Sequence, residues 1–154
     1  MNRPIRILML EDNLADAALV QHELREEGIA LYARHAATKQ EFLHELLHHA
    51  PDVILSDHGV PGFSGLAALS LARAKHPHVP FIFVTGRHGE EEAVESIKQG
   101  AADYVLKDRL FRLGPAMRRA LDEAEERALK GDEEKRRRLA QFCPDALFAC
   151  PVTG

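Results

Sequence analysis

Residues 51–62 read PDVILSDHGVPG. Val53-Ile54-Leu55-Ser56 is a short apolar run with Pro51 before it and Pro61-Gly62 after it, the pattern of a buried strand closed by a turn. Asp57 stands at the C-terminal tip of that strand. A carboxylate placed there, immediately before a Pro-Gly turn, is held out for chemistry and not spent on the core.

Working outward from this strand, three more runs end in the same way. Ile5 to Leu10 leads into Glu11-Asp12, Phe81 to Val84 leads into Thr85, and Tyr104 to Leu106 leads into Lys107. A further strand is expected near Ala30 to His35. Helical patterns fill the intervals, which favours repeated βα units and a parallel sheet. The carboxyl edge of an open parallel sheet is where ligands bind. Three acids, a hydroxyl and an amine are therefore expected at one edge. Clustered carboxylates suit a hard divalent cation, most simply Mg2+. A lysine and a threonine beside them suit charge neutralisation around a phosphoryl group.

The helices announce their ends. Asn13 caps a first helix whose inward face reads Ala17, Val20 and Leu24 and which Gly28 stops. Thr38 and Glu41 make a capping-box pattern before Phe42, Leu43, Leu46 and Leu47, and Pro51 closes that helix. Ser64 caps a third helix carrying Leu66, Leu69 and Ala72, stopped by Pro77. Glu90, Glu91 and Glu92 suit the positive end of a fourth, with Val94 and Ile97 inward and Gly100 as its stop. A fifth begins near Leu113 to Pro115.

Composition narrows the classes. The chain has 154 residues, 45% hydrophobic and 29% charged, with a formal net charge of -4. One domain plus an appendage is the natural expectation. The charge leaves no basic footprint for nucleic acid. Six apolar residues before Glu11 are too few for a signal peptide or membrane span, so no membrane partner and a cytoplasmic location are expected. Cys143 and Cys150 form neither a CxxC nor a zinc spacing.

The stretches ILMLEDN, PDVILSDHGVPGFSG, FIFVTG and AADYVLKD, in this order, resemble the response-regulator receiver domains of two-component signalling. The resemblance covers about residues 4 to 128. It implies a doubly wound (βα)5 fold with strand order 2-1-3-4-5 and an Asp57 that accepts a phosphoryl group from a histidine kinase or phosphotransfer protein. It makes Asp12 a direct ligand of Mg2+ (Mn2+ substituting), Glu11 a ligand through water, and the Gly59 backbone carbonyl a further ligand beside Asp57. It implies that Lys107 and Thr85 contact the phosphoryl oxygens, and that Tyr104 is the switch aromatic that follows Thr85. It leaves Gly86 as the small residue beside Thr85, with Gly59 and Arg87 tuning the access of hydrolytic water. Many members carry Asp where this chain has Glu11, a change of reach more than of role. The implied protein is a phosphoacceptor, assisting only its own phosphorylation and dephosphorylation.

From Arg118 to Arg138 both charge signs are dense, with Glu123/Arg127 and Glu126/Lys130 at the favourable i,i+4 spacing. The apolar seam Met117, Leu121, Ala124, Ala128 has coiled-coil steps that fail at Gly131. Two readings stand: a solvated helix, or a helix through which two copies pair. Residues 139–154, LAQFCPDALFACPVTG, resemble the opening of a PAS sensor domain. The domain division expected is therefore 1–128 receiver, 129–141 helical linker, 142–154 the truncated start of a PAS-like output module, the chain being the N-terminal piece of a longer protein.

Other readings are weaker. His44 and His48 stand at i,i+4 but lack a third ligand and read as surface residues. A haloacid-dehalogenase-like phosphatase would carry a second acid two residues after its nucleophile, where Gly59 stands. A flavin binder would need a phosphate-cradling loop where Glu11-Asp12 would repel the phosphate. A receiver acting as an interaction module without phosphate is opposed by the intact set of site residues.

Overall fold

The computed structural model of the chain describes residues 3–86 and 90–142, with Glu90 and residues 131–142 as backbone alone. Five strands form one parallel sheet: β1 Ile5–Leu10, β2 Leu31–Ala36, β3 Val53–Ser56, β4 Phe81–Thr85 and β5 Asp103–Leu106. Their order is β2-β1-β3-β4-β5, as expected. The expected second strand is shifted by one residue, since β2 pairs Ile5 with Leu31 through Leu10 with Ala36.

Side chains leave a strand alternately to its two faces. Ile7 and Met9 join one apolar cluster, Leu8 and Leu10 the other; Val53 and Leu55 are likewise separated from Ile54. Both faces are therefore covered, which is why these strands read as unbroken apolar runs. On the first face lie α1 (Leu14–Glu26) and α5 (Leu113–Phe142), through Val20, Leu24, Leu113 and Met117. On the second lie α2 (Lys39–His48) and α3 (Gly65–Lys75), through Phe42, Leu46, Leu69 and Ala72.

The caps act as the sequence indicated. The Asn13 side chain accepts from the Asp16 N–H at 3.1 Å, Thr38 from Glu41 at 3.1 Å and Ser64 from Ala67 at 3.1 Å. Gly28 and Gly100 end their helices with φ of +82° and +113°, a region where side chains are strained.

Burial sorts the faces of three helices and corrects the inward face expected of the fourth. Leu47 is 62% exposed, because the α2 stripe that meets the sheet is filled by Phe42 and Leu46. In α4 (Glu90–Lys98), Val94 and Ile97 face outward, 52% and 46% exposed. There the buried residue is Ser96, whose hydroxyl turns back to the Glu92 carbonyl at 2.8 Å, so α4 meets the domain with a small polar residue. The seam of α5 is also spent locally. Met117 and Ala124 are buried and Leu121 packs against the first cluster, so the coiled-coil spacing up to Ala124 is the docking face of α5 on its own domain. The helix continues through Gly131. Residues 143–154, with Cys143, Cys150 and most of the PAS-like segment, lie outside the described residues.

Two elements were not foreseen. Gly59–Val60 and Phe63–Ser64 form a small antiparallel hairpin, turned by Pro61 and Gly62 (φ +75°), the pair a type II turn uses. A 3-10 turn, Lys107–Arg112, joins β5 to α5 and buries Leu110.

Candidate functional site

Parallel pairing brings the strand ends into register. Leu10 pairs with Ser56, and the Asp57 N–H donates to the Leu10 carbonyl at 2.9 Å. Glu11 and Asp57 are thus the first residues past two neighbouring strands, and Asp12 follows. One carboxylate oxygen from each of Glu11, Asp12 and Asp57 lies within 4.8 Å of the others, the spacing of a shared cation. Hard oxygen donors of this kind suit Mg2+.

The Asp57 carboxylate is oriented by its own loop, the His58 N–H donating to Oδ1 at 2.8 Å. Its other oxygen, Oδ2, lies 3.4 Å from Lys107 Nζ. Lys107 also reaches Glu11 Oε1 at 2.8 Å and Asp16 Oδ2 at 2.7 Å. Burial alone would lower the Lys107 pKa, but hydrogen bonds to Asp16 and Glu11 outweigh it and raise the value, keeping the ammonium charged. Burial raises the Glu11 carboxyl above its ordinary range, opposed by the bond from Lys107 and assisted by the negative charge of Asp57. A crowded acid cluster with one ammonium is thus poised to gain positive charge.

Thr85 is fully buried at the end of β4, and its hydroxyl donates to the Tyr104 hydroxyl at 3.0 Å. Tyr104 leans on Phe83, with ring centroids 6.1 Å apart. Both line a cleft of about 430 Å³ that also touches His58, Leu66 and Glu92. Thr85 and Tyr104 are therefore one coupled pair beside the acids. Gly59 lies in the hairpin two residues after Asp57, opposite Ser64. Gly86 has open space where a side chain would stand. Arg87 lies outside the described residues.

Three contacts escaped the sequence. Asp16 reads as an acid suited to the first turn of a helix, yet its carboxylate holds Lys107. The His35 ring contacts the Glu11 carbonyl, pinning the end of β1 to that of β2. His58 Nδ1 lies 3.3 Å from Glu92 Oε2, joining the Asp57 loop to α4. Their partners are distant in sequence, and no local pattern marks them.

Known proteins share this fold. The family model of the response regulator receiver domain matches residues 7–113. The chain is similar to the regulatory protein LuxO of Vibrio vulnificus, 34% identical over 99 residues that make up 64% of this chain and 21% of LuxO. It is also similar to the virulence transcriptional regulatory protein PhoP of Salmonella typhimurium, 32% identical over 67% of this chain and 45% of PhoP. The chain thus spans less than half the length of these relatives. Among solved structures, a CheY-like receiver domain from Methanospirillum hungatei superposes with a TM-score of 0.70 at 28% identity, covering 81% of this chain and 99% of that one.

Proposed function

Since the chain belongs to the response-regulator receiver family, we propose that it is phosphorylated on Asp57 by a histidine kinase or phosphotransfer protein, and that the phosphorylated state switches an output module. The observation that carries this reading is the Asp57 carboxylate at the sheet edge, within 4.8 Å of Glu11 and Asp12 oxygens and 3.4 Å from the Lys107 ammonium.

The residues divide the work. The Asp57 carboxylate attacks phosphorus and displaces the donor imidazole. Glu11, Asp12, Asp57 and the Gly59 carbonyl would hold Mg2+ (or Mn2+), which when bound neutralises the transferring oxygens. Lys107 supplies a second fixed positive charge. Catalysis of this kind is positioning and electrostatics. Thr85 turns its hydroxyl from Tyr104 to the phosphoryl group, and Tyr104 responds within the shared cleft. Gly59 and Arg87 set the access of the hydrolytic water.

Residues 142–154 begin a PAS-like output module, residues 129–141 link it to the receiver, and α5 is the element through which copies pair. No helix of the described residues is long and apolar enough to cross a membrane; the cytoplasm, where kinase and Mg2+ are at hand, is the proposed location.

The test is incubation with acetyl phosphate and Mg2+ followed by intact-mass spectrometry. One added phosphate, absent in Asp57→Asn and with chelator, is expected. Undiminished labelling of Asp57→Asn would refute the assignment.

A further inference from the structure

We infer that Asp16, outside the acid cluster that suits a metal, is a positioning residue that anchors Lys107 while Glu11 and Asp57 are engaged elsewhere. This rests on the phosphoacceptor reading above and deepens it.

The Lys107 ammonium has three N–H donors and three carboxylates around it. Asp16 is the nearest at 2.7 Å, Glu11 follows at 2.8 Å, and Asp57 lies at 3.4 Å. Glu11 and Asp57 are also two of the three acids close enough to share a cation. Their oxygens are thus wanted by two positive charges that repel each other. Oxygens engaged with a divalent ion hold an ammonium less firmly, so Lys107 keeps less of its hold on Glu11 and Asp57 once the cluster is loaded.

Asp16 escapes that competition, being no part of the cluster. Its backbone is fixed by the helix cap, its N–H donating to the Asn13 side chain at 3.1 Å on the first turn of α1. The contact joins that turn to the start of the 3-10 turn after β5. Asp16 therefore gives the ammonium a station from which it faces Asp57 without drawing on the cation's ligands. Without it, Lys107 falls back on Glu11 and Asp57 and competes with the cation for them.

The experiment is titration of the whole chain with MgCl2, followed by calorimetry, on the wild type, Asp16→Asn, Lys107→Met and the double variant. Contacting charged groups couple strongly enough that Asp16→Asn should weaken apparent Mg2+ affinity roughly fivefold or more. In the Lys107→Met background the same substitution should change affinity less than about twofold, because no ammonium remains to be displaced. Asp16→Glu, which restores the carboxylate, should recover part of the loss, and circular dichroism should show α1 intact in each protein. Equal weakening in both backgrounds would reduce Asp16 to a remote negative charge and overturn the anchor. Wild-type affinity in Asp16→Asn would overturn it as well, leaving the acceptor reading intact. A wild type that binds no Mg2+ would overturn both.

Discussion

Gly65 is the first residue of α3, and its φ is not in the left-handed region that favours glycine. Space is what requires it. A Cβ at this position would stand 2.5 Å from Phe83 Cε1, 2.6 Å from the His58 carbonyl oxygen and 2.9 Å from the Asp57 carbonyl oxygen. Two of these neighbours are backbone atoms of the loop at Asp57, and neither can rotate away. The Gly65 N–H, moreover, already holds the His58 carbonyl at 2.7 Å. Gly65→Ala must therefore push the loop that carries Asp57. Overpacking of this kind costs about 1–3 kcal/mol. Near the midpoint each 1 kcal/mol moves Tm by roughly 3–5 °C in a domain of this size, so a fall of about 3–15 °C is expected. Phosphorylation by acetyl phosphate should slow too, since Asp57 moves relative to Glu11, Asp12 and Lys107. Gly86→Ala is the internal control. A Cβ there meets nothing within 4 Å, and a Gly→Ala change at a compatible site stabilises by about 0.4–1 kcal/mol through the unfolded chain. Melting curves and labelling rates of both variants test the reasoning. A Gly65→Ala protein that melts with the wild type and labels at its rate would refute it.

Tyr104→Phe removes the acceptor of the buried Thr85 hydroxyl and should cost about 1 kcal/mol, read from urea unfolding. Met117→Ala empties a fully buried site under α5 and should cost about 2–5 kcal/mol, which would confirm by denaturation that this helix belongs to the domain. Glu11→Gln should raise Tm at neutral pH without metal. A carboxyl whose folded pKa is raised contributes stability below its unfolded value, and that contribution is lost as pH rises through the folded value. The advantage of the glutamine should therefore shrink as pH falls towards the ordinary glutamate range, and excess Mg2+ should reverse the order; melts across pH and Mg2+ concentration check both.

How far the sequence could be read follows from where the information lies. The five strands, Asn13, Thr38 and Ser64 as caps, and Gly28 and Gly100 as stops were legible because each depends on residues within one turn or strand. The strand-end residues Glu11, Asp12, Asp57, Thr85 and Lys107 were legible because a parallel sheet converts similar strand ends into one edge. Val94 and Ile97 misled because i,i+3 spacing marks a face without saying which way it points. Asp16 was hidden because an acid in a first helical turn already has a sufficient local explanation, while its partner lies 91 positions away. The seam of α5 left two readings open for a related reason: a helix docked on its own sheet and a helix docked on a second copy need the same apolar spacing.

The occupied apolar face of α5 constrains how the site could act at a distance. Lys107 begins the 3-10 turn whose Leu110 is buried in the same cluster as Leu113 and Met117. Movement of the ammonium would thus strain the base of α5 and the α1 face of the sheet. Thr85 and Tyr104 lean the other way, Tyr104 packing with Phe83 against the cluster beneath α2 and α3. The site around Asp57 therefore has mechanical access to both faces through separate residues. Coupling of about 1–3 kcal/mol is ordinary between sites, comparable with the hydrogen bond between Thr85 and Tyr104 or a modest repacking at Leu110. Since Met117, Leu121 and Ala124 are occupied by the domain itself, a partner helix would have to meet α5 on other residues, such as the exposed Leu129. A signal leaving along α5 would then begin as a change in how its base is seated, and pairing beyond Ala124 would follow from that seating.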